Sequence, residues 1–245
     1  MSTTPGQGTG PVAVITGASS GIGEATARAL AASGYRLALI ARRADRINAL
    51  ADELGNGSIA IEADVTDRDS LVRAADRVKT ELGGTDVLVN NAGIMLLAPF
   101  NEAGHDDHRR MIEANLLGAI TVTEAFLSQL VDGGGDLVNL SSVAGRTARP
   151  GNAVYAATKW GINGWSESLR QELQPGVRVM VIEPGAVATE LTDHITNPGV
   201  KQAAEQMYQQ LAITADDIAE VIAFAVTRPR RMTLNEILVR PTAQP

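Results

Sequence analysis

The chain has 245 residues, of which 44% are hydrophobic and 20% charged, and its formal net charge is −7. This composition is ordinary for a globular protein with a full core, and the negative charge argues against a nucleic-acid-binding surface. Because the chain has no cysteine, it has no disulfides, thiolate catalysis or thiolate metal sites. No apolar run reaches the roughly 20 residues of a membrane span. Residues 1–10 have the composition of a flexible leader rather than a signal peptide, so the cytoplasm is the expected location.

Short apolar runs alternate along the chain with amphipathic segments, which predicts strands and helices in turn. The predicted strands span residues 12–16, 36–41, 58–63, 86–90, 136–141, 177–183 and 234–240. The predicted helices span residues 22–33, 44–54, 68–82, 106–130, 154–173 and 215–226, and a polar loop with a short helix is expected over 191–211. Strands separated by helices predict right-handed crossovers and a parallel sheet. We expect one α/β domain over residues 11–245, a Rossmann-type doubly wound sheet of about seven parallel strands with helices on both faces.

A glycine-rich turn joins the first predicted strand to the first helix. It reads Thr16-Gly17-Ala18-Ser19-Ser20-Gly21-Ile22-Gly23. Glycines allow a tight turn and close backbone approach, and the following helix would point its N-terminal amides at a pyrophosphate. The spacing Gly-x-x-x-Gly-x-Gly is not the commoner Gly-x-Gly-x-x-Gly. The position of the turn nevertheless favours dinucleotide binding over a simple strand–helix connection.

The end of the second predicted strand indicates which dinucleotide is bound. NAD sites usually carry Asp or Glu about 20 residues after the glycine turn, but here Ala41 is followed by Arg42 and Arg43. A guanidinium can bind a 2′-phosphate through two parallel hydrogen bonds. We therefore predict NADP(H), with Arg42 as the main contact and Ser19 or Arg43 assisting. The alternative is that both arginines only begin a solvated helix.

Tyr155 and Lys159 lie four residues apart in a predicted helix and so share one face. Free tyrosine has a pKa of about 10, and a fixed ammonium beside it would favour the phenolate and lower that pKa. Such a pair can move a proton to or from an alcohol or carbonyl oxygen. The chain has 18 arginines but only three lysines, so a lysine at this position is notable. Taken alone, the motif would also suit a solvated helix face.

In their order and spacing, these motifs resemble the short-chain dehydrogenase/reductase family, in its short single-domain subclass, over residues 11–242. The motifs that carry the resemblance are Thr16-Gly-x-x-x-Gly-Ile-Gly23, Asp64-Val65, Asn90-Asn-Ala-Gly93, Asn115, Ser142, Tyr155-x-x-x-Lys159, and Pro184-Gly185 with Thr189. Stretches at 92–99, 182–191 and 235–242 are similar to the branch that contains clavulanic acid dehydrogenase and NADP-dependent serine or 3-hydroxy acid dehydrogenases.

The resemblance implies a catalytic set of Asn115, Ser142, Tyr155 and Lys159. Tyr155 would exchange the proton, and Lys159 would lower the Tyr155 pKa and hold the nicotinamide ribose. Asn115 would anchor a water and Lys159 in a proton relay. Ser142 would bind the substrate oxygen, with the adjacent Ser141 as the alternative. The implied cofactor-binding residues are Gly17, Ser19, Ser20, Gly21, Ile22, Gly23, Arg42, Arg43, Asp64, Val65, Asn91, Ala92, Gly93, Tyr155, Lys159, Pro184, Gly185, Val187 and Thr189.

The function implied is NADP(H)-dependent interconversion of an aldehyde or ketone and an alcohol without a metal, as in a carbonyl reductase of specialised metabolism. We expect a substrate pocket bounded by residues 94–97, 143–152 and 187–208. The second and third of these stretches carry Arg146, Arg149, His194 and Lys201. Arg149 or His194 would suit a carboxylate-bearing substrate, although the charges would equally suit a solvated surface.

Two other functions use the same motifs. A non-catalytic NADP(H)-sensing protein is the main alternative, but it would have no need of the proton-relay residues. A sugar-nucleotide epimerase or dehydratase would need a larger C-terminal domain. The family resemblance also implies a homo-oligomer, with a tetramer favoured, whose interface would include the helices near Leu117 and Trp160.

Overall fold

The computed structural model describes residues 10–244. Apart from Gly10, the predicted leader lies outside the described residues. The strands are β1 (Val12–Thr16), β2 (Arg36–Ala41), β3 (Ile59–Glu62), β4 (Val87–Asn90), β5 (Asp136–Leu140), β6 (Arg178–Pro184) and β7 (Glu236–Val239). The helices are α1 (Gly21–Ala32), α2 (Ala44–Leu54), α3 (Arg68–Leu82), α4 (His105–Ile112), α5 (Gly118–Gly133), α6 (Ala153–Leu173), α7 (Pro198–Leu211) and α8 (Ala215–Val226). A π-helical turn joins α4 to α5, and 3₁₀ turns span Val143–Gly145 and Glu190–His194.

All seven strands form one parallel sheet in the order β3-β2-β1-β4-β5-β6-β7. The strand order reverses between β1 and β4, which makes the crevice beyond their carboxyl ends the expected ligand site. The predicted fold class is therefore confirmed, and the strand ends differ from the prediction by at most two residues.

The sheet is covered on both faces, and this explains why its strands are rich in apolar residues. Every residue of β1, β5 and β6 is buried. One face packs against α1 and α8 through Leu30, Ile218 and Ile222, and the other packs against α3 and α5 through residues that include Leu71 and Phe126. The two cores hold the strand ends, and with them the site, in fixed positions.

The helical stretch His105–Gly133 is the only one in the described residues whose length and hydropathy would allow it to cross a membrane. Core helices pass the same test. In this structure Val122, Phe126 and Leu130 of the stretch are fully buried in the core that includes Leu88 and Leu137 of the sheet.

Candidate active site

A cavity of about 660 Å³ opens at the carboxyl ends of the strands. Residues that directly follow β1 to β7 all contribute to its lining, as the doubly wound topology requires. Of the predicted site residues, those that line it are Gly17, Ser19, Ser20, Gly21, Ile22, Arg42, Arg43, Asp64, Val65, Asn91, Ala92, Gly93, Ser142, Tyr155, Lys159, Pro184, Gly185, Val187 and Thr189. Gly23 and Asn115 are not among the lining residues and lie immediately behind the wall, against residues of the site.

The glycine turn leaves an open cradle at the N-terminus of α1. Gly17 and Gly21 have φ angles of 66° and 54°, which other residues adopt only with strain. A Cβ at Gly17 would lie 2.9 Å from the Cα of Ala92, and a Cβ at Gly23 would lie 2.5 Å from Nδ2 of Asn91. These positions therefore need glycine, and the free amides at the start of α1 suit a phosphate.

Asn91 ties this turn to the strand beside it. Its Nδ2 donates to the carbonyl oxygens of Thr16 at 3.0 Å and of Gly17 at 3.3 Å. The Oγ1 of Thr16 accepts from the amides of Asn91 and Ala92 at 3.0 and 3.2 Å. Asn91 thus fixes the glycine turn in addition to lining the cavity.

The two arginines that follow β2 have different surroundings. Arg43 donates from Nε to Oγ of Ser19 at 3.0 Å and from its guanidinium to Oγ of Ser20 at 2.7 Å. A third donor of Arg43 contacts Glu190 at 2.7 Å. The Arg42 side chain is 70% exposed, and its guanidinium lies 3.7 Å from the carboxylate of Asp64. Both cations line the cavity, but Arg43 is the one already bound to the glycine turn.

The residues after β3 form the adjoining wall. Asp64 accepts from the amide and the hydroxyl of Thr66 at 2.9 and 2.8 Å, so its carboxylate shapes the local turn. Val65 packs so closely on α5 that a Cβ at Gly118 would lie 3.0 Å from its side chain. Asp64 and Val65 both line the cavity, so a bound ligand could contact them.

Tyr155 and Lys159 lie on the buried face of α6, and each side chain is only 7% exposed. The Nζ of Lys159 donates to the carbonyl oxygen of Leu140 at 2.8 Å and lies 5.8 Å from the centre of the Tyr155 ring. The predicted shared face is therefore observed, with the ammonium held by the end of β5.

The pKa of Tyr155 does not shift in the predicted direction. Burial raises the pKa of Tyr155 well above its ordinary value, and a hydrogen bond with Ser142 only partly opposes this effect. Burial also lowers the pKa of Lys159 to about 8. The expected lowering of the Tyr155 pKa is absent because loss of hydration dominates both groups. Tyr155 therefore remains protonated at neutral pH.

The two serines after β5 have separate roles. The Ser142 hydroxyl accepts from the amide of Ala144 at 3.1 Å and donates to the Pro184 carbonyl at 3.4 Å. It is also the group that partly opposes the raised pKa of Tyr155. The Ser141 hydroxyl instead donates to the main-chain carbonyl of Lys159 at 3.2 Å. The structure thus brings Ser142, rather than Ser141, to the tyrosine.

Asn115 lies in the π-helical turn Glu113–Leu117 and is 2% exposed. Its side chain bonds to both the amide and the carbonyl of Ile94, at 2.8 and 2.9 Å. Its Nδ2 also lies 3.4 Å from Oγ1 of Thr158, the residue before the lysine. Single π-helical turns within α-helices occur frequently at functional sites. Here the turn places the Asn115 side chain between the segment that follows β4 and helix α6.

The loop after β6 is supported by the C-terminal tail. Oε1 of Gln244 accepts from the amide of Ala186 at 2.9 Å, and the tail packs against Gly185 so closely that a Cβ there would lie 2.9 Å from Pro241. Gln244 and Arg240 line the cavity. Sequence reasoning missed Gln244 because nothing in the local sequence links it to a loop 58 residues earlier.

The cavity also extends over an apolar region bounded by the predicted substrate segments. The apolar residues there include Ile94, Met95, Leu97, Leu191, Ala204, Met207 and Tyr208. Arg149 and His194 line the cavity as predicted, together with Arg110, which was not predicted. Burial, and then the nearby Arg42, keep the pKa of His194 below its ordinary value.

Two of the four charged residues expected near the substrate are not among the lining residues. Arg146 forms ion pairs with Glu183, at 2.7 Å, and with Glu236. Lys201 lies 3.9 Å from both Asp193 and Glu205. Both cations thus lie beside carboxylates, Arg146 beside those of β6 and β7, and Lys201 beside one on the 3₁₀ turn and one on its own helix α7. No group of three or more His, Asp or Glu side chains within residues 10–244 could hold a metal ion.

Comparison with known proteins gives the family of this chain. Residues 11–199 match the family model described as short chain dehydrogenase. An uncharacterized oxidoreductase of Mycobacterium tuberculosis is 45% identical over 95% of this chain and 92% of that protein. The serine 3-dehydrogenase of Agrobacterium fabrum is 38% identical over 94% of both chains. The closed form of a serine dehydrogenase complexed with NADP⁺ superposes with a TM-score of 0.90, at 32% identity over 96% of both chains. The chain belongs to the short-chain dehydrogenase family of oxidoreductases.

Proposed function

We propose that this protein is an NADP(H)-dependent oxidoreductase that interconverts an aldehyde or ketone and an alcohol. The observation that carries the proposal is that one cavity is lined both by the glycine turn and by Ser142, Tyr155 and Lys159. A dinucleotide on the turn would extend toward the tyrosine, and a carbonyl compound would occupy the apolar end. The amides of α1 and the ammonium of Lys159 would hold the dinucleotide, and Arg42 and Arg43 would hold its 2′-phosphate.

NADP(H) is favoured over NAD(H) by charge. The residues after β2 are cationic, and the hydroxyls of Ser19 and Ser20 lie beside the Arg43 guanidinium. Guanidinium and hydroxyl donors suit a phosphate, whereas a ribose 2′-hydroxyl is usually bound by a carboxylate at this position. The serine dehydrogenase of similar fold was solved as a complex with NADP⁺.

In the reductive direction the side chains supply a proton and stabilise a developing oxyanion. When bound, NADPH supplies the hydride that the carbonyl carbon accepts. The raised pKa keeps Tyr155 protonated, so its hydroxyl donates the proton to the carbonyl oxygen. Ser142 donates a hydrogen bond to that oxygen. The ammonium of Lys159, which carries its charge below about pH 8, stabilises the phenolate that remains.

The substrate that we propose is a small carbonyl compound or alcohol that carries a carboxylate, such as a 3-hydroxy acid. Arg149, His194 and Arg110 line the cavity beside its apolar wall, and a guanidinium binds carboxylates well. The relative from Agrobacterium fabrum is a serine 3-dehydrogenase, and serine is a 3-hydroxy acid.

We also propose that the protein is a homo-oligomer, with a tetramer as the favoured state. Leu117 and Trp160 each have 54% of their surface exposed, on neighbouring helical segments. An exposed apolar surface of this kind often marks an interface between subunits. Light scattering at several protein concentrations would measure the mass, and a monomer at micromolar concentration would contradict the proposal.

Oxidation or reduction of the cofactor against a substrate panel tests the proposed reaction. The panel contains small aldehydes, ketones and 3-oxo acids, and in the reverse direction serine and other 3-hydroxy acids, each with NADP(H) and with NAD(H). We expect turnover with the phosphorylated cofactor and the highest kcat/KM for substrates with a carboxylate. Cofactor binding without turnover of any substrate would instead favour a sensing role.

A further inference from the structure

Glu190 is bound by two arginines from the opposite side of the cofactor groove. It begins the 3₁₀ turn Glu190–His194, which leads from β6 into the substrate wall. Its two carboxylate oxygens accept from Arg43 and Arg46, each at 2.7 Å. Arg43 is the N-cap of α2 and Arg46 lies in its first turn, so this carboxylate links two segments that are distant along the chain.

This contact engages the third nitrogen of Arg43, so that each nitrogen of its guanidinium already donates to one acceptor. Its Nε donates to Ser19 and its other guanidinium nitrogens to Ser20 and Glu190. Glu190 also lines the cavity. An anion that approaches Ser19 and Arg43 must therefore share the guanidinium with an existing carboxylate or displace it.

The carboxylate remains charged under all ordinary conditions. The hydrogen bonds from Arg46 and Arg43 lower the pKa of Glu190 to about 2. A second anion beside it is repelled, whereas a neutral hydroxyl is not. The repulsion therefore acts on a cofactor with a 2′-phosphate and spares one with a free 2′-hydroxyl.

We propose that Glu190 limits the preference of this protein for NADPH over NADH, because it competes with the cofactor phosphate for Arg43. This inference rests on the proposed function, in which Arg42 and Arg43 receive a 2′-phosphate. Glu190 is a specificity residue in this role and takes no part in proton transfer.

Glu190→Gln tests the role because glutamine keeps the size and one acceptor oxygen but removes the charge. Calorimetric titration compares 2′,5′-ADP with ADP, and kinetics compare NADPH with NADH. We expect the preference for the 2′-phosphate to rise about three- to tenfold at low salt, and the difference from wild type to shrink at high salt. Glu53→Gln is the matched control, since Glu53 pairs with Arg28 outside the cavity. It should change neither the preference for 2′,5′-ADP over ADP nor the preference for NADPH over NADH.

Glu190→Ala separates charge competition from simple support of Arg43. Competition predicts that the Gln and Ala variants both raise the preference for 2′,5′-ADP. If the preference is unchanged in both variants or falls in either of them, the proposal is overturned. Failure of the cofactor assignment gives a different result, in which wild type and both variants bind ADP and 2′,5′-ADP equally well. Equal binding by wild type with a gain of phosphate preference in both variants would support the role of Glu190.

Discussion

Asn115 binds both main-chain polar groups of Ile94, accepting from its amide at 2.8 Å and donating to its carbonyl at 2.9 Å. One side chain thus joins the π-helical turn to the segment that follows β4. The same amide group lies close to Thr158, which precedes Lys159 in α6. The geometry of the lysine and of the cavity wall therefore depends on a residue that is not itself among the lining residues.

Replacing Asn115 by leucine should disturb both stability and turnover. The variant leaves two partly buried main-chain groups without their partner, which costs about 1–3 kcal/mol for each unsatisfied group. We expect a lower unfolding free energy in urea and a reduced kcat. The control is Asn48→Leu, whose amide makes only an exposed contact within α2. Equal stability of the two variants would contradict this account.

Replacing Tyr155 by phenylalanine should remove the proton donor that we propose while leaving the ring in place. A positioned general acid contributes about 10²- to 10⁴-fold to the rate, and kcat should fall by that amount. Cofactor affinity, measured by fluorescence titration, should stay within a few-fold of wild type because most of the cofactor site lies elsewhere in the cavity. The control is Tyr35→Phe, a buried tyrosine outside the cavity. Near-normal turnover in Tyr155→Phe would refute the proposed role.

The buried ammonium of Lys159 should make stability depend on pH. Native Lys159 releases its proton near pH 8, whereas lysine in the unfolded chain holds it to about pH 10.5. Between these values the unfolded chain binds more protons, so the unfolding free energy rises with pH, by at most about 1.4 kcal/mol per unit. The cost of the buried charge is fully present below pH 8 and is relieved as the pH rises.

Urea unfolding between pH 7.5 and about 9 would measure this dependence, where the tyrosines of the unfolded chain, with a pKa of about 10, remain mostly protonated. Lys159→Met should abolish the rise in unfolding free energy. Lys201→Met should retain it, because Lys201 is partly exposed beside Asp193 and Glu205. The interpretation fails if wild type and Lys159→Met have the same slope.

The fold could be predicted from the sequence because the hydrophobic periodicity and the turn residues indicate the same elements along the chain. Buried parallel strands are rich in apolar residues, and the chain shows short apolar runs within β1, β5 and β6 with helical segments between them. The candidate site followed from the same topology, since motifs that end strands must meet at one edge of the sheet.

Other features depend on long-range packing, which local patterns do not encode. The π-helical turn at Asn115 arises within a segment that reads as one continuous helix. The contacts of Arg43 and Arg46 with Glu190 join residues about 145 positions apart. The raised pKa of Tyr155 reflects burial, which the Tyr-x-x-x-Lys spacing does not reveal. Nor does any pattern indicate that Gln244, near the end of the chain, reaches the loop after β6.

That contact of Gln244 predicts that the C-terminal tail contributes to cofactor binding. Gln244→Ala removes the acceptor from the amide of Ala186 and opens space beside Gly185. Loss of one such hydrogen bond costs about 0.5–1.5 kcal/mol, so the KM for the cofactor should rise by up to about tenfold while kcat changes less. Thr242→Ala is the control, because Thr242 is an exposed residue of the same tail. A KM equal to that of wild type in Gln244→Ala would mean that the loop holds its conformation without the tail.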